Sequence, residues 1–276
     1  METKSENRCY GGTQGVYTHA SDSTNCDMTF GLYLPEEAQH GPVPVLIYLS
    51  GLTCTHENAM TKAGAQVWCA EQGIAICFPD TSPRGEDVAN DDGFDMGHAA
   101  SFYLDATEAP WARHYQMESY ITKELTKVLG ENFNIDTDRM AITGHSMGGH
   151  GALTLAFKHP GLYRSVSAFS PICHPTASEW GHRQFKGYLG EDKGVWADHD
   201  ATMLAQSKGF DGPILIDQGT ADQFYDKLGT ADFAAACAAQ KLDATVRLQK
   251  GYDHSYFFIS TFMEDHVAFA AEALWA

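Results

Sequence analysis

Short apolar segments closed by turn residues recur along this chain, and helical patterns separate several of them. MTFGLYLP (28–35) alternates, while PVPVLIYLSG (42–51), GIAICFPD (73–80), RMAITG (139–144), YRSVSAFSP (163–171), GPILIDQG (212–219) and ATVRLQ (244–249) are short, apolar and closed by turn residues. In ESYITKELTKVLG (118–130), Ile121, Leu125, Val128 and Leu129 fall on one helical stripe; GTADFAAACAAQKL (229–242) and TFMEDHVAFAAEALWA (261–276) are two further helix candidates. Strands near the start followed by strand and helix alternation predict a mostly parallel sheet covered by helices on both faces, with antiparallel pairing at its N-terminal edge. With no repeat and no low-complexity linker, residues 1–276 read as one α/β domain. The zones 80–115 and 171–210 read as irregular and too long for plain connectors, which makes them candidate walls of a site.

The predicted strand at 139–144 runs directly into GHSMG (144–148), a G-x-S-x-G pentad, and then into an alanine- and leucine-rich run. That strand-to-helix context gives the pentad its meaning: a tight turn lifts Ser146 above the sheet, and Gly144 and Gly148 must be small because strand and helix approach closely. The serine then sits at a helix N-terminus, whose free N–H groups and dipole favour a developing negative charge.

A serine nucleophile needs a base and an acid that orients the base, in the chain order Ser, Asp or Glu, His. Asp222 lies in the loop after the predicted strand 212–219, and His254 just beyond the strand 244–249, both where strand carboxyl ends converge. Asp217 lies within its strand and reads as structural; Asp226 and Asp232 fall at or inside the next helix. His145 and His150 flank the serine and read as supports of the turn. Oxyanion donors are expected at the backbone N–H of Met147, after the nucleophile, and of Leu52 in the loop 50–58. Cys54 shares that loop, and either a place near the pocket or an inert buried thiol fits it.

Charge and cysteine content narrow the partners. The 36 acidic against 18 basic residues give a net charge of -18, which opposes nucleic acid and anionic membrane surfaces, so a small molecule is the expected partner. The seven cysteines form an odd set without a C-x-x-C pair, fitting free thiols in a reducing, cytoplasmic setting. No run approaches the roughly 20 apolar residues that span a bilayer, and no signal-peptide-length stretch opens the chain. No H-x-x-x-H or H-E-x-x-H spacing supports a metal, and the glycine clusters fail the nucleotide-loop patterns, so no cofactor is expected.

Taken in order, SGLTCTHEN, FPDTSPRG, DATEAPW, GHSMGGHGAL, SPICHP, WGHRQFKGYLG, ILIDQGTADQF and GYDHSYFFISTF resemble the S-formylglutathione hydrolase (esterase D) family over nearly the whole length. The resemblance implies an α/β-hydrolase fold, hydrolysis of S-formylglutathione to formate and glutathione, side activity on short acyl esters, and commonly a homodimer. It carries the nucleophile onto Ser146, the acid onto Asp222, the base onto His254 and the oxyanion donors onto Leu52 and Met147. The chain departs from the family's glycine-rich DFGxGAGFY at DMGHAASFY, where Ala99 and Ser101 replace glycines, and His174 and Glu179 are unusual in their loop. Glutathione is anionic, so local donors are needed in this acidic chain, and Lys186 and Arg183 are candidates. A short-chain carboxylesterase or acyltransferase on the same scaffold is the rival reading; a catalytically silent binding protein would usually lack the serine or the histidine.

Overall fold

The computed structural model describes residues 1–276. Its strands are β1 (Glu2–Cys9), β2 (Gly12–Ser21), β3 (Cys26–Leu34), β4 (Val43–Leu49), β5 (Ala75–Pro79), β6 (Ile135–His145), β7 (Val166–Phe169), β8 (Ile214–Gly219) and β9 (Ala244–Gln249). They form one nine-stranded sheet in the order β1-β2-β3-β5-β4-β6-β7-β8-β9. Pairing is antiparallel from β1 through β3 to β5 and parallel from β5 to β9, as the alternation of segments predicts.

Apart from the edge strand β9, which is only partly buried, the apolar segments are strands buried on both sides. In β4, Val45, Ile47 and Leu49 enter one core while Leu46 and Tyr48 enter the other, the two-residue period of a pleated strand. Helices α1 (His56–Lys62), α2 (Ala65–Gln72) and α11 (Tyr256–Trp275) close the core containing Leu46. Opposite them, α4 (Thr126–Asn132), α5 (Met147–Lys158), α8 (Ala201–Ser207) and α10 (Thr230–Gln240) close the larger one.

The structure departs from the sequence reading in three regions, the N-terminal strands, the segment 117–132 and the zone 171–210. β1 and β2 are strands that hydropathy does not reveal. β1 is exposed along nearly its whole length, and the inward positions of β2 are Gly12, Gly15, Tyr17, His19 and Ser21, two of them glycine and two polar. The helix expected over 118–130 is composite: α3 (Met117–Ser119) continues through a π-helical stretch, Tyr120–Leu125, into α4. The zone 171–210 is not irregular; it contains α6 (Glu179–Leu189), α7 (Lys193–Ala197) and α8, while 80–115 carries only a single 3-10 turn, Trp111–Arg113.

Asp217 has the structural place expected of it. Its fully buried carboxylate accepts hydrogen bonds from Arg247 Nε (2.7 Å) and Nη2 (2.5 Å) and from Gln249 Nε2 (2.9 Å). His266 Nε2 lies 3.1 Å away, its ring stacked on Phe169 at 3.7 Å between centroids. Burial alone would raise this carboxyl; the bonds from His266 and Arg247 outweigh it and bring it down to about 2. The native carboxyl thus lies below its unfolded value of about 3.9, so its contribution to stability is complete above about pH 4 and is lost as pH falls through about 2. Asp217→Asn takes the buried anion from Arg247, which keeps only the exposed Asp265 (2.7 Å from Nη1), and from the buried His266. We expect it to lower unfolding stability by about 3 kcal/mol in urea titration at pH 7, with the deficit shrinking toward pH 2.

Candidate active site

The site begins where β6 ends. Ser146 has φ +58° and ψ −117°, left-handed backbone that a side-chain-bearing residue adopts only under constraint. The constraint is the approach of α5 to β4: a Cβ at Gly148 would lie 1.9 Å from the Leu49 carbonyl oxygen, and one at Gly144 would lie 2.2 Å from the Gly148 oxygen. Both glycines are therefore required by backbone contact, as expected from the sequence. The turn is fixed by the Ser146 N–H donating to the Phe169 carbonyl (3.0 Å) and by the N–H groups of His150 and Ile172 donating to the Ser146 carbonyl (2.9 and 3.2 Å).

Asp222 and His254 meet beyond β8 and β9. His254 Nδ1 lies 2.6 Å from Asp222 Oδ2, whose side chain is completely buried. Burial would raise the Asp222 carboxyl, but the His254 hydrogen bond and charge and the Phe224 N–H (2.7 Å, to Oδ1) bring it below its ordinary value. An ionised carboxylate only accepts, so Nδ1 carries the proton and Nε2 is left as the basic nitrogen. The ring is held edge-on by Phe224 (4.9 Å between centroids) and flanked by His145 (4.4 Å). Gln218, which the sequence reading passed over, donates to Asp222 Oδ2 (3.1 Å) and accepts from Thr230 Oγ1 (2.9 Å).

Ser146, His254 and Leu52 all line one largely apolar cavity of about 340 Å3. Ser146 and His254 are not hydrogen-bonded to each other; both open on the cavity, and such contacts commonly tighten only with substrate bound. The Leu52 N–H donates to no backbone or side-chain acceptor, and Met147 is the first residue of α5, where the N–H has no intrahelical partner. Cys54 is buried in the same wall, its Sγ 4.0 Å from Tyr256 Oη. Larger depressions exist, such as one of about 720 Å3 beside Phe157 and Lys208, but they hold no such grouping.

The remaining candidates lie apart or in support. His150 is fully buried, with Nδ1 3.2 Å from the Ile172 carbonyl, and burial lowers it to about 3, so it stays neutral. His145 is likewise held well below its ordinary value, first by burial and then by the neighbouring His254. Asp226 is exposed, and Asp232 pairs with His174 (2.8 Å). Glu179 opens α6. Lys186 is exposed and paired with Glu191, and Arg183 is paired with Asp91 and Asp95.

The two zones named from the sequence as candidate walls each supply one, but the particular wall residues were not singled out. Phe94 comes from the irregular zone 80–115 and Trp180 from α6; Phe224, Leu228 and Tyr256 follow Asp222 and His254 closely, and that proximity is the one signal they carry. The Trp180 indole N–H donates to the buried Asp95 carboxylate (2.8 Å), which also accepts from Gln184 Nε2 (2.9 Å) and Arg183. The indole is thereby fixed as a rigid wall.

An elbow serine on a mostly parallel sheet, with a carboxylate-bound imidazole opening on the same cavity, defines the α/β-hydrolase class. Comparison with known proteins agrees. Residues 21–269 match the family model described as "Putative esterase". The chain is 60% identical over 273 residues to the S-formylglutathione hydrolase of Paracoccus denitrificans (strain Pd 1222), covering 99% of this chain and 98% of that one. It superposes with a TM-score of 0.97 on an S-formylglutathione hydrolase from Agrobacterium tumefaciens, at 46% identity over 99% of this chain and 100% of that one. The fold alone is shared with the serine hydrolase FphF of Staphylococcus aureus (TM-score 0.76, 18% identity, 94% and 98% covered). The chain belongs to the esterase family, in its S-formylglutathione hydrolase branch. No helix is long and apolar enough to cross a membrane.

Trp180→Ala removes a wall of the cavity on which Ser146 opens. The expected result is a rise of about tenfold or more in kcat/KM for a p-nitrophenyl ester of four to six acyl carbons relative to the acetate, measured as a ratio so that any loss of folded protein cancels.

Proposed function

We propose that this enzyme hydrolyses S-formylglutathione to formate and glutathione through a formyl-enzyme on Ser146. In this reading His254 Nε2 takes the Ser146 proton as Oγ attacks the formyl carbonyl. Asp222 holds the imidazole in that tautomer and stabilises the imidazolium. The N–H groups of Leu52 and Met147 receive the oxyanion, and the α5 dipole adds to their effect. Collapse breaks the C–S bond, and the thiolate leaves with the proton that His254 returns; a thiol of pKa about 8.5 needs less acid assistance than an alkoxide. Water, deprotonated by His254, then attacks the formyl ester, and Ser146 Oγ departs with that proton.

The observation that carries this reading is the 2.6 Å contact between His254 and Asp222, with the imidazole opening on the cavity that also holds the elbow serine. The substrate comes from the names of the two close relatives. The reading includes a cytoplasmic setting, which the seven free thiols favour, and a homodimer, which rests on the family resemblance.

Two measurements test it. Turnover of S-formylglutathione and of a p-nitrophenyl ester, compared directly, should favour the thioester by orders of magnitude; equal kcat/KM values would make this a general short-chain esterase. Labelling by a fluorophosphonate should vanish in Ser146→Ala together with turnover, and near-normal activity in that variant would remove Ser146 as nucleophile. Asp222→Asn keeps the shape but allows the wrong tautomer, and kcat should fall by about 10³–10⁴ with KM little changed.

A further inference from the structure

An enzyme of net charge -18 acting on an anionic tripeptide thioester needs a local cation where the ligand's carboxylates lie. The two basic residues that the sequence singles out are already engaged, Lys186 by Glu191 and Arg183 by Asp91 and Asp95. Arg84, which donates from Nη2 to the carbonyl of the wall residue Cys54 (3.1 Å), is held by Asp80 through Nε and Nη2. Lys62 is different. It is the last residue of α1, exposed, and no carboxylate lies within ion-pairing distance of it. Its Nζ stands 5.8 Å from the centroid of the Tyr256 ring, and Tyr256 lines the cavity beside Ser146 and His254.

We propose that Lys62 binds a carboxylate of the glutathione moiety at the rim of the cavity, with the Tyr256 ring fixing the ammonium in place. The proposal rests on the S-formylglutathione reading and extends it to the leaving group. Three extended residues span roughly 10 Å, and the acylated thiol belongs to the central one, so with the formyl thioester at Ser146 both terminal carboxylates extend away from it, and Lys62, beside the wall residue Tyr256, is placed to meet one. An ammonium over an aromatic face is oriented by the ring quadrupole while its outer protons stay free for an anion. Its charge reaches the cavity: burial raises the Cys54 thiol, and the Tyr256 hydrogen bond and Lys62 pull it partly back. Lys227, beside the wall residue Leu228, also lacks a carboxylate partner, but no ring of the wall holds its ammonium.

The test compares S-formylglutathione with neutral p-nitrophenyl acetate in the full-length enzyme. Lys62→Gln should raise KM for the thioester by about two- to fivefold, with kcat and the neutral ester unchanged. Lys62→Glu should raise it further, and Lys62→Arg should restore it. The gap between Lys62→Gln and the parent should narrow at 0.5 M salt, where rim charges are screened. Lys241→Gln, which removes an exposed lysine beyond the end of α10, controls for net charge and should alter neither substrate. An unchanged thioester KM in Lys62→Glu, or an equal change on both substrates, would overturn the assignment. A parent enzyme that shows no preference for the thioester would overturn the functional reading itself, before any variant is considered.

Discussion

The contact on which the site depends is backbone against backbone, where α5 presses on the end of β4. The Leu49 carbonyl occupies the space that any side chain at position 148 would need, and the Gly148 carbonyl does the same to position 144. Such proximity brings the first turn of the helix directly over the strand end, and the chain can enter it only by way of a left-handed residue. Ser146 is that residue, so its hydroxyl projects from the outside of a sharp bend instead of lying along a strand or helix face. The same bend leaves the N–H of Met147 at the helix start, next to the serine, without further design.

Above this elbow the charges are arranged so that only one imidazole is free to act. His145, His150 and His254 all lie near the serine, yet burial and neighbouring positive charge keep the first two neutral. A neutral His145 at 4.4 Å adds no fixed positive charge against an imidazolium on His254, while the buried Asp222 carboxylate stabilises one. Asp217 and Asp222, five positions apart on one strand and its loop, have divided tasks. Asp217 points to the α11 face and joins β8, β9 and α11 through Arg247 and His266; Asp222 lies past the strand end and serves His254. A strand residue takes its direction from the pleat, and a loop residue does not, which is why the second can turn to the cavity.

How much of this the sequence disclosed follows the same division. The parallel strands, the elbow and the two loop residues after β8 and β9 were legible because apolar runs closed by glycine and aspartate mark strand ends, and because in this architecture strand ends converge. β1 and β2 were not, since an exposed edge strand and a strand with glycine, histidine and serine facing inward have no hydrophobic period to read. The length of the zones 80–115 and 171–210 marked them as walls, but which of their residues face the cavity was illegible for another reason. Trp180 lines the cavity because Asp95, 85 positions earlier, binds its indole, and Phe94 arrives on the same segment. Pairings across such separations leave no local pattern. Lys62 shows the same limit: only the fold reveals that Lys186 and Arg183 are already bound and that it is not.

Strain is concentrated around the site, and the contacts that sustain it are visible. Of the nine non-glycine residues with positive φ, six surround the elbow: Thr53, Ala99, Phe102, Tyr103, Ser146 and Ser170. Each such residue costs about 1 kcal/mol or more unless its surroundings fix it. The Thr53 N–H donates to the Ala99 carbonyl (3.1 Å), and the Ala99 N–H to Ser82 Oγ (2.8 Å); Tyr103 Oη donates to the Ser50 carbonyl (2.9 Å), and the Ser170 N–H to the Asp217 carbonyl (2.7 Å). The first and third of these bonds tie the loop 50–58 to the irregular segment 80–115, the second lies within that segment, and the fourth ties the residue after β7 to β8. The resemblance places glycine at position 99, where alanine stands with φ +59°. Alanine thus takes a left-handed turn of the kind glycine adopts without strain, and the hydrogen bonds on both sides of Ala99 hold it there. The strain falls on the segment whose carbonyl binds the N–H of Thr53, a residue of the cavity wall next to Leu52.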